Sequence, residues 1–284
     1  MIIFWSLLSF QNPNDNQKNQ NMYCPLKSVS TYAGIFLLIL LPVLISGNST
    51  AKAIIKPVAT VITSKAPVPV ASSAVPLAVS NSNKLIAQAH AIYDSMKLKR
   101  AGLSKKAFEF AWKGYQHMRS KRMLKNTDVL SICDFSQSSR KKRLYVIDLE
   151  SMKLLINTHV AHGRNSGSEY ARSFSNIMES HQSSLGFFIT KQTYWGGHGL
   201  ALEIDGQERG INDKANQRKI VVHGSDYVGD RFLRSNKFNG RSFGCPAVPS
   251  KVNAKVINTI KNGSCFFIYH PTKNYINKSR ILNG

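Results

Sequence analysis

The chain has 284 residues, 43% of them apolar, with 38 Lys+Arg against 15 Asp+Glu and a formal net charge of +23. That apolar share supplies a substantial core for one catalytic domain plus appendages, which excludes a chain too poor in core to fold. The charge favours anionic partners, leaving nucleic acid and an anionic cell envelope as the two candidates.

The N-terminus chooses between them. Ala33 to Ile45 (AGIFLLILLPVLI) is apolar, uncharged, preceded by Lys27 and interrupted by Pro42. It is short for a bilayer span and suits the hydrophobic region of a secretory signal. Ala51-Lys52-Ala53 has the small-x-small form of a cleavage site, so the mature chain is expected to start near Ile54. Residues 1–21 are an unusual prefix, and Met22 followed by Lys27 makes a more ordinary beginning; an uncleaved anchor helix is the competing reading. Cleavage removes Lys18, Lys27, Lys52 and Asp15, which lowers the net charge only from +23 to +21. An exported protein meets anionic wall polymers and lipid headgroups rather than nucleic acid, so the charge reads as envelope association, in the periplasm or at the cell envelope.

Residues 54–83 are rich in Ala, Val, Pro and Ser and lack aromatics, which reads as a tether. Asn83 to Lys99 carries Leu85, Ile86, Ala89, Ile92, Tyr93 and Met96 at helical spacing. Ser104 opens a second helix with Ala107, Phe108, Ala111, Trp112 and Tyr115 on its apolar face, and residues 84–127 together form a helical hairpin. From Asp128 the pattern becomes β-rich. Strands are expected at Val129–Phe135, Arg143–Leu149, Lys153–Val160, Gly186–Tyr194, Ala201–Ile204 and Lys219–His223, with a helix at Val252–Lys261 and a closing strand at Ser264–Tyr269. The layout is mainly β within an α+β class: a hairpin, then a catalytic domain over residues 128–284 built as two packed sheets.

Cys24 lies in the signal, leaving Cys133, Cys245 and Cys265. An odd number in an oxidising compartment leaves at least one thiol outside any internal bridge. Either Cys133 and Cys265 pair, or they are two separately buried thiols.

Ile220-Val221-Val222-His223-Gly224 is a β-rich run ending on a histidine, followed later by Ser242-Phe243-Gly244-Cys245-Pro246. A strand-end imidazole delivered to a thiol stabilises the thiolate that attacks, and Gly244 permits a backbone shape that turns amides toward an oxyanion. By themselves a cysteine and a histidine about twenty residues apart read more simply as a buried thiol and a core histidine.

The segment resembles the signature of the L,D-transpeptidases (YkuD-type catalytic domains), in which a His-Gly pair precedes a Ser/Thr-x-Gly-Cys box. The likeness runs from roughly Leu85 to Tyr275 and takes in Arg143-Leu144-Tyr145-Val146-Ile147-Asp148-Leu149, Val160-Ala161-His162-Gly163-Arg164-Asn165-Ser166-Gly167, Ser183-Ser184-Leu185-Gly186-Phe187-Phe188 and His223-Gly224-Ser225-Asp226-Tyr227-Val228. It is similar to the longer subgroup of murein L,D-transpeptidase catalytic domains. The resemblance implies a β-sandwich catalytic domain that forms a Cys245 thioester with a peptidoglycan stem tetrapeptide and transfers it to an amine. His223 would be the base, oriented through the Gly224 carbonyl; Ser242 and Gly244 would shape the box, and the Gly244 and Cys245 amides would be the oxyanion donors. It implies no cofactor, no metal and a monomer whose partners are stem peptides.

The chain departs from that pattern at Phe243, where many members have histidine, and at Pro246 and Ala247, where an Asn or Arg is usual. The loop between base and nucleophile is long and carries Arg231, Arg234, Lys237 and Arg241, of which Arg241 is the candidate for a stem-peptide carboxylate. His198, in a Gly-Gly-His-Gly turn, and Tyr227 are the other candidate substrate contacts, with His162 expected as a loop residue beside the cleft. His159 and His162 are three apart in a strand, where period two sends them to opposite faces, and no His-Glu-x-x-His motif supports a zinc hydrolase. Hydrolysis of the same acyl-enzyme (L,D-carboxypeptidase or amidase), a noncatalytic envelope-binding module and a salt-sensitive polyanion binder are the competing functions.

Overall fold

A computed structural model describes residues 76–284, with side chains from residue 82 onward. The expected signal run, cleavage point and most of the tether lie outside the described residues.

In chain order the elements are α1 (Pro76–Ser95), α2 (Lys105–Ser120), β1 (Val129–Asp134), β2 (Leu144–Asp148), β3 (Lys153–Thr158), a 3-10 turn (Arg164–Ser166), β4 (Gly186–Gly196), β5 (Gly199–Gly206), β6 (Val221–Ser225), α3 (Asp230–Leu233), β7 (Ala247–Pro249), α4 (Ser250–Ile260), β8 (Cys265–Tyr269), α5 (Lys273–Lys278) and α6 (Arg280–Asn283). The first helix begins seven residues before the expected Asn83, at Pro76, whose fixed φ and missing N–H suit a first helical turn. Ser104 caps α2, its hydroxyl accepting the Ala107 N–H at 3.3 Å. The buried face of α2 is Ala107, Phe108, Ala111, Trp112, Tyr115 and Met118. Gly114 lets that face meet the sheet, since a Cβ there would lie 1.9 Å from Cζ of Phe187.

All six residues of β1 and all five of β8 are buried. Such runs do not alternate because helices cover both sides: α2 and α4 each pack against β1. Among the described residues no helix is long and apolar enough to cross a membrane.

The mixed α+β, mostly β class is as expected, but the eight strands hydrogen-bond into one sheet, in the order β3-β2-β1-β8-β4-β5-β6-β7, rather than into two separate sheets. The pairing of β4 with β8, Gly186 opposite Ile268 through Ile189 opposite Cys265, joins what would otherwise be two halves. The sheet then curls until its edges meet. Ala161, just past β3, bridges to Ala247 in β7, and Gly163 to Ser242, giving a barrel-like closure.

Cys133 and Cys265 are both free and fully buried. They sit on neighbouring parallel strands three positions out of register, with Cys265 opposite Leu130 and Cys133 opposite Ile268, so the alternative of separately buried thiols holds. Behind β4 a buried carboxylate pins the C-terminus. Glu208 accepts from the Phe187 N–H at 2.9 Å, from the Tyr275 hydroxyl at 3.2 Å and from the Ser279 hydroxyl. Burial pushes its pKa up, against the pull of those three donors.

Candidate active site

β6 and β7 run parallel, with His223 opposite Ala247 and Gly224 opposite Val248. Cys245 precedes Ala247 by two residues, so the ladder delivers it alongside β6. Its sulfur accepts from the Val221 N–H at 3.5 Å, and its S–H donates to the Lys219 carbonyl at 3.7 Å. Cys245 is half-buried, whereas Cys133 and Cys265 are sealed in the core.

The box around it is held by its own hydroxyl. Ser242 Oγ donates to the Cys245 carbonyl at 2.6 Å and accepts the Gly244 N–H at 3.1 Å. The Gly244 amide, expected to face an oxyanion, is therefore occupied within the loop. Gly244 has φ +123°, and a Cβ there would lie 2.8 Å from the Gln182 carbonyl, so both the dihedral and the space require glycine. Ser183 Oγ donates to the Gly244 carbonyl at 3.1 Å.

His223 Nδ1–H donates to the Gly224 carbonyl at 2.9 Å, which leaves the Nε2 lone pair for base chemistry. Burial lowers its pKa, the Gly224 carbonyl opposes that, and the neighbouring His198 adds a further downward push. His198 stands at the tip of the β4–β5 hairpin and stacks on His223 with ring centroids 4.8 Å apart and planes 23° apart. For the Cys245 thiol, burial pushes the pKa up, while the Val221 amide, Arg218 and its own amide pull it down.

Arg218 is absent from the sequence-based site. Its guanidinium donates to the Ser175 and Gln182 carbonyls and to the Ser184 hydroxyl, each at 2.6 Å, and to the Ser180 hydroxyl at 3.1 Å. It meets no carboxylate, and its Nη2 would lie 3.3 Å from a Cβ on Gly244. It reaches there because the preceding turn ends in a Schellman closure: Ile220 N–H donates to the Ala215 carbonyl and Lys219 N–H to that of Asn216, each at 2.9 Å, with Lys219 left-handed at φ +55°. In sequence, Lys214 to Lys219 reads as an ordinary solvated basic run; only the turn geometry directs Arg218 inward.

The remaining candidates divide. Tyr227 packs against Ala161, Val228 and Ala247, and burial together with the nearby Cys245 raises its pKa. Arg241 donates to the Arg164 and Gly167 carbonyls at 3.4 and 3.3 Å and lies 5.9 Å above Phe238. Phe243 is 63% exposed, with the His181 ring at 4.4 Å and the Arg164 guanidinium at 5.4 Å. Of the four loop cations only Lys237 and Arg241 border the cavity of about 530 Å³ beside Phe243, while Arg231 lines a different one.

His162 lies in the loop after β3, as expected, beside the turn that carries Cys245, but it is fully buried rather than open to the cleft. Its Nδ1 accepts from the Arg143 Nη2 at 2.7 Å, its carbonyl accepts the Ser242 N–H at 3.0 Å, and burial beside that cation drives its pKa down to about 3. His159 pairs with Asp230 at 3.0 Å in a cavity of about 950 Å³. That space is larger than any beside the thiol, yet neither Cys245 nor His223 lines it. A cavity of about 260 Å³, bordered by Tyr194, Glu203, Asn216, Lys219 and Val221, opens where the thiol's two partners lie.

The solved structures to which the chain is similar are distant. The chain is similar at 12% identity to an L,D-transpeptidase from Mycobacterium smegmatis, over 50% of this chain and 59% of that one, with a TM-score of 0.31. It is similar at 14% identity to an L,D-transpeptidase from Enterococcus faecium, over 50% of each chain, with a TM-score of 0.29. It is likewise 14% identical to the helical cell shape determining protein Pgp2 from Campylobacter jejuni, over 56% of this chain and 54% of that one, with a TM-score of 0.34. The matches thus span between half and three-fifths of those relatives' lengths. No curated protein matches the sequence. A family model described as the L,D-transpeptidase catalytic domain matches residues 99–269, well over half of the chain and every residue of the site above. By that match the chain belongs to the L,D-transpeptidase catalytic domain family.

Proposed function

We propose that this protein is a cysteine acyltransferase that remodels peptidoglycan, with Cys245 as nucleophile and His223 as base. The observation that carries the reading is the setting of Cys245: a half-buried thiol held beside β6 by the amide of Val221, two residues along the strand from His223, whose Nδ1 is committed to the Gly224 carbonyl. The sulfur leaves the Lys219 carbonyl as its proton passes to His223, and the thiolate attacks a stem-peptide carbonyl. The C–N bond breaks, the departing amine takes the proton from His223, and a thioester remains on Cys245. An amine acceptor then resolves it; water in the same place gives hydrolysis.

Export to the envelope belongs to the same reading, supported by the N-terminal apolar run and a net charge of +23. The test is incubation of the purified protein with disaccharide-tetrapeptide. Cross-linked dimers by mass spectrometry support transfer, and trimmed tripeptide alone overturns it in favour of hydrolysis. A carbapenem should add covalent mass to the wild type and not to Cys245→Ala; equal labelling of both removes Cys245 as nucleophile.

A further inference from the structure

Neither Cys245 nor His223 lines the cavity of about 260 Å³, but Lys219 and Val221, whose backbone groups hold the Cys245 sulfur, both do, and it contains a carboxylate that the chemistry so far does not use. Glu203 of β5 stands opposite Val221 of β6, and Ala201 stands opposite both His223 and Tyr194. Because strand residues alternate between faces, Glu203, Val221, Ala201, His223 and Tyr194 share one face of the sheet. Directly opposite residues bring their Cβ atoms to about 5 Å, so Glu203 flanks the residue whose amide holds the Cys245 sulfur.

Glu203 is half-buried, and among the described residues it accepts no side-chain hydrogen bond and forms no ion pair. The other described carboxylates without either kind of partner, Glu150, Glu179 and Asp226, are exposed, and Lys219 on the rim of the same cavity does not close on Glu203. A half-buried carboxylate without a partner favours a cation arriving from solution.

We propose that Glu203 binds the ammonium group of the acceptor, making this cavity the acceptor-amine site of the transfer half-reaction. The inference rests on the acyl-enzyme reading of Cys245. The acceptor enters as –NH3+, is held by the Glu203 carboxylate, and loses one proton to solvent. The resulting –NH2 forms a bond to the thioester carbonyl carbon while the C–S bond breaks. Its electron pair returns to Cys245, and the second proton on nitrogen passes to His223. Tyr194 borders the same cavity.

The experiment compares wild type and Glu203→Gln, as full chains, on a disaccharide-tetrapeptide donor with two acceptors: a stem tetrapeptide bearing a free side-chain amine, and hydroxylamine, which is neutral at pH 7. In Glu203→Gln the tetrapeptide concentration giving half-maximal transfer is expected to rise about tenfold, the scale of one lost hydrogen bond to a charged group. Carbapenem labelling of Cys245 and release by hydroxylamine are expected to stay at wild-type rates. An unchanged tetrapeptide dependence, or an equal loss with hydroxylamine, overturns the proposal. A measurement on wild type alone guards against a variant that fails to fold: a tetrapeptide with its side-chain amine trimethylated, a cation that cannot attack, should inhibit transfer competitively and leave labelling untouched. No inhibition overturns the site. Absence of any carbapenem adduct on wild-type Cys245 removes the acyl-enzyme reading and this inference together, whereas normal labelling with acceptor dependence unchanged removes this inference alone.

Discussion

Ser242 and Cys245 are bound to each other across the turn that leads into β7: the Ser242 hydroxyl donates to the Cys245 carbonyl at 2.6 Å and accepts the amide between them, that of Gly244, at 3.1 Å. Ser242→Ala leaves a buried carbonyl and a buried amide without partners. The expected cost is about 1–3 kcal/mol of stability, read by chemical denaturation, with carbapenem labelling slowed about tenfold because the loop is no longer pre-shaped. Ser242→Thr should retain most of both.

Gly244→Ala tests the other half of the turn. At φ +123°, with the Gln182 carbonyl 2.8 Å from the new Cβ, the variant is strained by about 1–3 kcal/mol whatever the neighbours do. Loss of labelling together with a lowered unfolding midpoint is the expected result.

Arg218 contributes a fixed positive charge near the sulfur. Arg218→Gln is expected to raise the midpoint of the pH dependence of Cys245 alkylation, and Arg218→Lys to raise it by less. Among the described residues iodoacetamide under native conditions reads Cys245 alone, since Cys133 and Cys265 are sealed in the core. Superposable profiles for wild type and Arg218→Gln would remove the charge from the account.

The pH dependence of labelling follows from His223. Burial and His198 lower its pKa below 6.5, so the neutral base persists into mildly acid solution and the acid limb of the labelling rate should lie below that value. His198→Ala removes one of the downward pushes, and the limb should move toward higher pH.

Stability responds to pH through two buried groups of opposite sign. His162 has a folded pKa of about 3 against 6.5 unfolded, so its contribution is present above pH 6.5 and is lost as pH falls through that window. Glu208 is raised from 4.5, so the folded state binds the extra proton; its contribution is complete below 4.5 and is lost as pH rises through the folded value. Above pH 4.5 the two oppose each other, the gain from His162 being offset by the loss from Glu208. Glu208→Gln should remove that offset, so that the unfolding midpoint rises more steeply with pH between 4.5 and 6.5 than in wild type.

The strands carrying the site were legible because β-rich runs between turn residues are a local signal: six expected strands, the closing strand and α4 lie within a few residues of their observed limits. β7 was not, because three residues, Ala247 to Pro249, hold no period of their own and become a strand only by lying along β6. His223, Gly224, Ser242, Gly244 and Cys245 stood out as types in a pattern, and the structure brings them into one turn and one ladder. Arg218 did not, since its role depends on a left-handed Lys219 that no local rule places. Glu203 was hidden likewise, as which strand lies across from it is a matter of topology. Cys133 and Cys265 illustrate the same limit: their count left pairing open, and only the three-residue offset between β1 and β8 decides it.

The bridges from Ala161 to Ala247 and from Gly163 to Ser242 close the sheet on itself, and the second ends on the residue that ties the catalytic turn. The seam of the fold and the hinge point of the nucleophile are therefore one place. A chain whose seam has parted has no fixed turn on which to present a thiol, so reactivity at Cys245 is a gauge of whether the sheet has closed.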